Sequence, residues 1–123
     1  MASSARVSVM SAAVTEVLPA RAHYAEIPQA WKFARNKDWQ SDVIDQSVAD
    51  WPDFFASRVV APLWERCYRG FFLDTMDSYR LAAQFNEQAQ QDGLVRVIET
   101  LHQRFPGIRL ILNRGFDIVP RVR

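Results

Sequence analysis

The sequence alternates in the order strand, helix, strand, helix, strand, which predicts an α/β protein whose strands run parallel and are joined by right-handed crossovers. Two apolar runs carry this reading: Gly70 to Leu73, flanked by polar residues, and Ile108 to Leu112, closed by Asn113-Arg114-Gly115. Between them Leu94, Val97, Ile98, Leu101 and Phe105 recur at the helical period, and Pro106-Gly107 ends that helix.

The earlier elements follow in chain order. Val7 to Leu18 comes after Arg6 and ends in Ala20-Arg21-Ala22, the outline of an exported leader. Thr15, Glu16 and two serines interrupt its apolar centre, so Ala12 to Val17 reads instead as a buried strand. Leu18 to Trp39, with Pro19, Pro28 and no clean period, reads as a long loop with one helical turn near Ala30 to Arg35. Asp42 to Gln46 reads as a short strand. Asp50 then sets a capping acid before Trp51-Pro52-Asp53, where a helix should begin. Trp51, Phe55, Val59, Leu63 and Cys67 follow at intervals of four, so this helix is expected over about residues 51 to 67. Pro62 should kink it, because its ring removes the bond to the Arg58 carbonyl. Cys67, the single cysteine, cannot form an internal disulfide and reads as a small hydrophobe on the buried face.

Composition narrows the function. With 15 Lys+Arg against 14 Asp+Glu, the 123 residues carry a formal charge of +1, so no basic field exists to attract nucleic acid or anionic lipid. The 49% hydrophobic content excludes a disordered chain, and no run approaches the roughly 18 apolar residues of a membrane span. Repeats and flexible linkers are absent, so residues 12–123 read as one domain behind an uncertain start at 1–11. That length is about half of the roughly 250 residues a closed eight-stranded β/α barrel needs.

In parallel α/β folds the C-terminal ends of the strands face the site. Here they carry Glu16, Asp45, Asp74 with Asp77, and Asn113 with Arg114. Carboxylates gathered on one rim shift one another's pKa values apart, which suits general acid/base work. Each also has a plainer reading. Asp74-Thr75 can cap the turn after its strand, Asp77-Ser78 can cap the following helix, Glu16 can pair with an arginine, and Asn113 can serve a left-handed turn before Gly115. Other chemistries lack their residues: His23, His102 and Cys67 do not form a metal-ligand spacing, and neither a Gly-rich phosphate loop nor a Gly-x-Ser-x-Gly elbow occurs. No metal or cofactor is therefore expected.

The segment Gly70-Phe-Phe-Leu-Asp-Thr-Met-Asp-Ser-Tyr79, with Val43-Ile-Asp-Gln-Ser47 before Trp51-Pro52, and Leu112-Asn-Arg-Gly-Phe-Asp-Ile-Val-Pro120, resembles glycoside hydrolase family 114, the endo-α-1,4-polygalactosaminidase-like barrels. The resemblance implies a (β/α)8 TIM barrel of which this chain is a middle portion, with parallel strands. It implies cleavage, outside the cytoplasm, of α-1,4-linked, partly deacetylated galactosaminoglycan by two carboxylates and no cofactor. Asp74 matches one catalytic carboxylate, while Glu16, Asp77, Tyr79, Asn113 and Arg114 match substrate-binding positions on the same rim. The second acid, a glutamate in the family, is expected beyond Arg123, and Asp117, where relatives usually carry Gly-Phe-Glu, is not that acid. On this reading the chain alone has little or no activity, and its uncovered barrel edges favour self-association. The rival expectation is a non-catalytic remnant that keeps a sugar-binding rim.

Overall fold

The computed structural model describes residues 9–74 and 76–113. Its strands are β1 (Val9–Ala13), β2 (Glu16–Val17), β3 (Lys32–Asn36), β4 (Ser41–Ile44), β5 (Gly70–Asp74) and β6 (Arg109–Leu112), and its principal helices are α1 (Trp51–Phe55), α2 (Ala61–Glu65) and α3 (Glu87–Arg104). Among the described residues they form two three-stranded sheets, β1-β5-β6 and β2-β4-β3.

The first sheet is parallel, as the alternation predicts: Ala12 pairs with Leu73, and Leu73 with Leu112. One crossover, containing α3, joins β5 to β6. Asn86 caps α3 by accepting from the Ala89 amide at 2.9 Å, and its stripe of Leu94, Val97, Ile98 and Leu101 is buried. Phe71 and Leu73 are fully buried in the same core, so the alternation of β5 turns Phe72 and Asp74 to the face away from the helices.

The second sheet departs from expectation. The single strand over Ala12 to Val17 is two short strands in different sheets. Fully buried Val14 and Thr15 make the crossing: the Val14 amide donates to the Asp74 carbonyl at 3.2 Å, while the Thr15 carbonyl accepts from the Ile44 amide at 2.8 Å. Backbone pairing thus passes from β5 to β4 within two residues, a change that no residue pattern between Ala12 and Val17 marks. β4 runs antiparallel to both β2 and β3, so its C-terminal end does not join the parallel set. The expected loop from Leu18 to Trp39 holds two 3₁₀ turns, at Tyr24–Glu26 and Gln29–Trp31, and then β3 instead of a helical turn. β3 is an edge strand, mostly half-buried on both faces, and therefore lacks the alternation that would mark it.

The helix expected over 51–67 is α1 and α2 separated by a π-helical turn at Ala56–Val60. The turn precedes Pro62 in the first turn of α2, where a missing N–H costs least. Cys67 does not lie on the buried face. α2 ends at Glu65, and Cys67 is exposed in the left-handed region with φ 76. The Cys67 amide donates to Trp64 and the Tyr68 amide to Leu63, so Cys67 occupies the place in a Schellman turn that glycine usually takes.

α3 meets the end of β4 very closely. A Cβ at Gly93 would lie 1.8 Å from the Gln46 carbonyl oxygen, so only glycine admits this approach.

Candidate active site

Asp74 ends β5 and Asn113 immediately follows β6, so the parallel register sets them side by side on the face turned from the helices. Asn113 Nδ2 donates to Asp74 Oδ1 at 2.5 Å, and the Asn113 amide extends the ladder to the Leu73 carbonyl at 2.9 Å. The Asp74 carboxyl is thereby oriented by a neutral amide on the adjoining strand. A carboxyl held at a strand end by an amide keeps a fixed orientation, which general acid/base chemistry requires.

Beyond Asp74 the chain turns through buried Met76 and half-buried Asp77 into a 3₁₀ turn, Ser78–Leu81. Asp77 precedes that turn without a side-chain capping bond, so it does not perform the capping role open to it in the sequence. Tyr79, expected to touch substrate, is 2% exposed and packs edge-on against Phe85 at 5.4 Å.

Glu16, 7% exposed, lies beneath this turn. In the antiparallel register it shares a face of the second sheet with Ser41 and Asn36. Its Oε1 accepts from the Ser41 hydroxyl and its Oε2 from the Ser78 hydroxyl, and Asn36 Nδ2 lies 3.2 and 3.3 Å from the two oxygens. The carboxyl therefore links β2, β3, β4 and the turn after Asp74. The opposite face of that sheet carries Asp42, which accepts from the Tyr24 hydroxyl, with Arg35 at 3.7 Å and the Lys32 ammonium over the Tyr24 ring.

Asp45 belongs to the helix layer. Its Oδ1 accepts from Gln90 of α3 at 2.6 Å and from the Ser47 hydroxyl at 2.6 Å and amide at 2.9 Å. Burial pushes this carboxyl up, but the bonds from Ser47 and Gln90 outweigh it and hold it below the usual carboxylate range. Gln46 is fully buried, donating through its amide to Gln90 Oε1 at 2.8 Å and through its side chain to the Val14 and Ile44 carbonyls. A polar Gln90 on the otherwise apolar stripe of α3 is the sequence signal that marks this junction. Asn36, Ser41 and Ser78, scattered across 42 positions, give no comparable signal. Arg114 lies outside the described residues.

Among the described residues no three His, Cys, Asp or Glu side chains come together as a metal site, and no helix is long and apolar enough to cross a membrane.

The profile of glycoside-hydrolase family GH114 matches residues 5–123. The chain belongs to glycoside hydrolase family 114. Its structure is similar to the glycoside hydrolase domain of PelA from Pseudomonas aeruginosa, with 34% identity, a TM-score of 0.74, and coverage of 90% of this chain and 44% of that one. A variant of the same domain gives 33% identity and a TM-score of 0.73, with the same coverage. Aspergillus fumigatus Ega3, solved in complex with galactosamine, shares the fold at a TM-score of 0.78 and 14% identity, over 94% of this chain and 46% of Ega3. None of the curated proteins matches. This family 114 chain thus spans less than half the length of the solved relatives, and its parallel sheet and crossovers are part of the barrel-like α/β architecture that they share.

Proposed function

We propose that this family 114 chain is part of a barrel that hydrolyses α-1,4-linked, partly deacetylated galactosaminoglycan, an exopolysaccharide of the kind that holds biofilms together, and that it acts in the periplasm or outside the cell. The observation that carries the reading is Asp74, placed at the C-terminal end of a central parallel strand and oriented by Asn113. Galactosamine bound to Ega3 supports an amino sugar as the substrate class.

Asp74 serves as one of the two carboxylates that glycoside hydrolysis requires. The other, expected beyond Arg123, stands across the scissile bond, at about 5 Å if the enzyme retains configuration or about 6.5 to 9.5 Å if it inverts. Asn113 fixes the Asp74 oxygen that it contacts. Asp77 extends the rim on which the polymer lies, Tyr79 supports it from beneath, and the family resemblance assigns Arg114 to substrate binding. No cofactor enters the reaction.

The test is Asp74→Asn in the chain restored to a complete barrel that carries the second carboxylate, assayed by release of reducing ends from a galactosamine-rich polymer. The substitution keeps size and removes the charge that stabilises an oxocarbenium-like transition state, so turnover should fall on the order of a thousandfold or more, with unchanged circular dichroism. Near-normal turnover would remove Asp74 from the chemistry and leave the sugar-binding remnant in its place.

A further inference from the structure

Glu16 sits where strand-end reasoning places a substrate contact, yet its surroundings describe a different task. Both oxygens are engaged by side chains of this chain: Ser41 and Ser78 hydroxyls on one oxygen each, and Asn36 across the pair. Three of these four groups lie in the second sheet, a rigid frame in which all four residues of β4 are buried. The fourth, Ser78, opens the 3₁₀ turn that begins four residues after Asp74. Met76 and Tyr79, on either side of it, are buried, so the turn cannot shift without disturbing the packing beneath it.

We propose that Glu16 is a positioning residue for the Asp74 to Ser78 loop, holding the rim acids over the strand ends by tying Ser78 to the antiparallel sheet. This rests on the hydrolase reading above for its effect on turnover, but not for the contact itself. A buried carboxyl is suited to the task because it is acceptor-only and takes both hydroxyls at once from opposite sides, each a charge-assisted bond. A glutamine of the same shape offers a single acceptor oxygen, and its NH₂ must face one serine, so one arm is weakened while volume is kept. A loop displaced by about 1 Å costs roughly a hundredfold in rate when it carries a reacting group. The penalty falls mainly on turnover, because Glu16 itself does not reach the sugar, with a smaller effect on binding through Asp77 on the same loop.

Two variants test this, with exchange read on this chain and activity on the chain restored to a complete barrel that carries the second carboxylate: Glu16→Gln, which alters the hub, and Ser78→Ala, which removes only the arm to the loop. Amide exchange followed by mass spectrometry should show faster exchange over residues 76–81 in both, with β5 and α3 protected as in the parent. On a galactosamine-rich polymer, kcat should fall about ten- to a hundredfold with KM within about twofold. The double variant should be no worse than the more impaired single one, as expected of two groups in one contact. Unchanged exchange over residues 76–81 overturns the proposal, whatever the activity. So does a raised KM with intact kcat, which would make Glu16 a sugar contact. If Asp74→Asn keeps its turnover while exchange responds as described, the hydrolase reading fails and the anchoring role stands.

Discussion

Gly93→Ala should be strongly destabilising, against the ordinary preference of helices. In an exposed helix interior the change stabilises by about 1 kcal/mol. Here the new methyl would begin 1.8 Å from the Gln46 carbonyl oxygen and 2.5 Å from its carbon, where ordinary contact starts at 3.4 Å. Neither partner is a flexible side chain, so α3 and the end of β4 must separate by about 1.6 Å. That opening stretches the Gln46 amide bond to Gln90, now 2.8 Å, and the Gln90 bond to Asp45, now 2.6 Å. Overpacking of a tight core costs about 1–3 kcal/mol, and each buried hydrogen bond left unmade costs about the same. Set against the helix preference, the net loss is about 2–8 kcal/mol, and even its lower end lowers Tm by roughly 8 °C in a domain of this size. Urea or thermal unfolding followed by circular dichroism reads it, with the exposed Glu99→Ala as a control expected within about 0.5 kcal/mol of the parent. A neutral or stabilised Gly93→Ala would mean that α3 does not approach Gln46 as described.

Two further outcomes follow from other positions. Cys67→Gly should stabilise by about 1 kcal/mol, because glycine adopts the left-handed conformation at φ 76 without the penalty a side chain carries there, and a lowered urea midpoint would contradict the Schellman geometry. Burial, then the Arg21 charge, lower the His23 pKa from 6.5 with partial relief from Glu26, so the unfolded chain takes up its proton first as pH falls. Stability from this group should be complete above pH 6.5 and decline below it until the folded imidazole also protonates. Urea midpoints between about pH 8 and pH 5 should therefore slope downward, and His23→Phe, which keeps the edge-on contact with Phe54, should flatten that slope.

The parallel sheet and its crossover were legible because each rests on local signals: an apolar run before Asp74, a 3.6-residue stripe on α3, and Pro106-Gly107 after it. Asp74 itself was legible as the polar end of a buried strand. The second sheet was not. β3 alternates weakly because it is an edge strand, and in the passage from β1 to β2 nothing in the residues tells which partner each backbone bond will find. The same blindness applies to Glu16. Its type and strand position were visible, but its meaning comes from Asn36, Ser41 and Ser78, which reach it only after the chain has folded across 20, 25 and 62 positions. Cys67 misled for a simpler reason: periodicity continued the stripe by one turn, whereas the cap ended the helix two residues earlier.

The passage through Val14 and Thr15 has a consequence for how the two sheets come apart. Those two residues belong to neither sheet, yet each lends a backbone group to one of them. Peeling β1 from β5 pulls on the Val14 amide, and the next peptide transmits the pull to the bond between Thr15 and Ile44. The two sheets are therefore mechanically in series, and β2, only two residues long, has little hold of its own once β1 is lost. Such a connection favours one cooperative opening of both sheets over separate fraying of each. In native-state amide exchange, Val14 and Ile44, though 30 positions apart in the chain, should then report the same opening free energy.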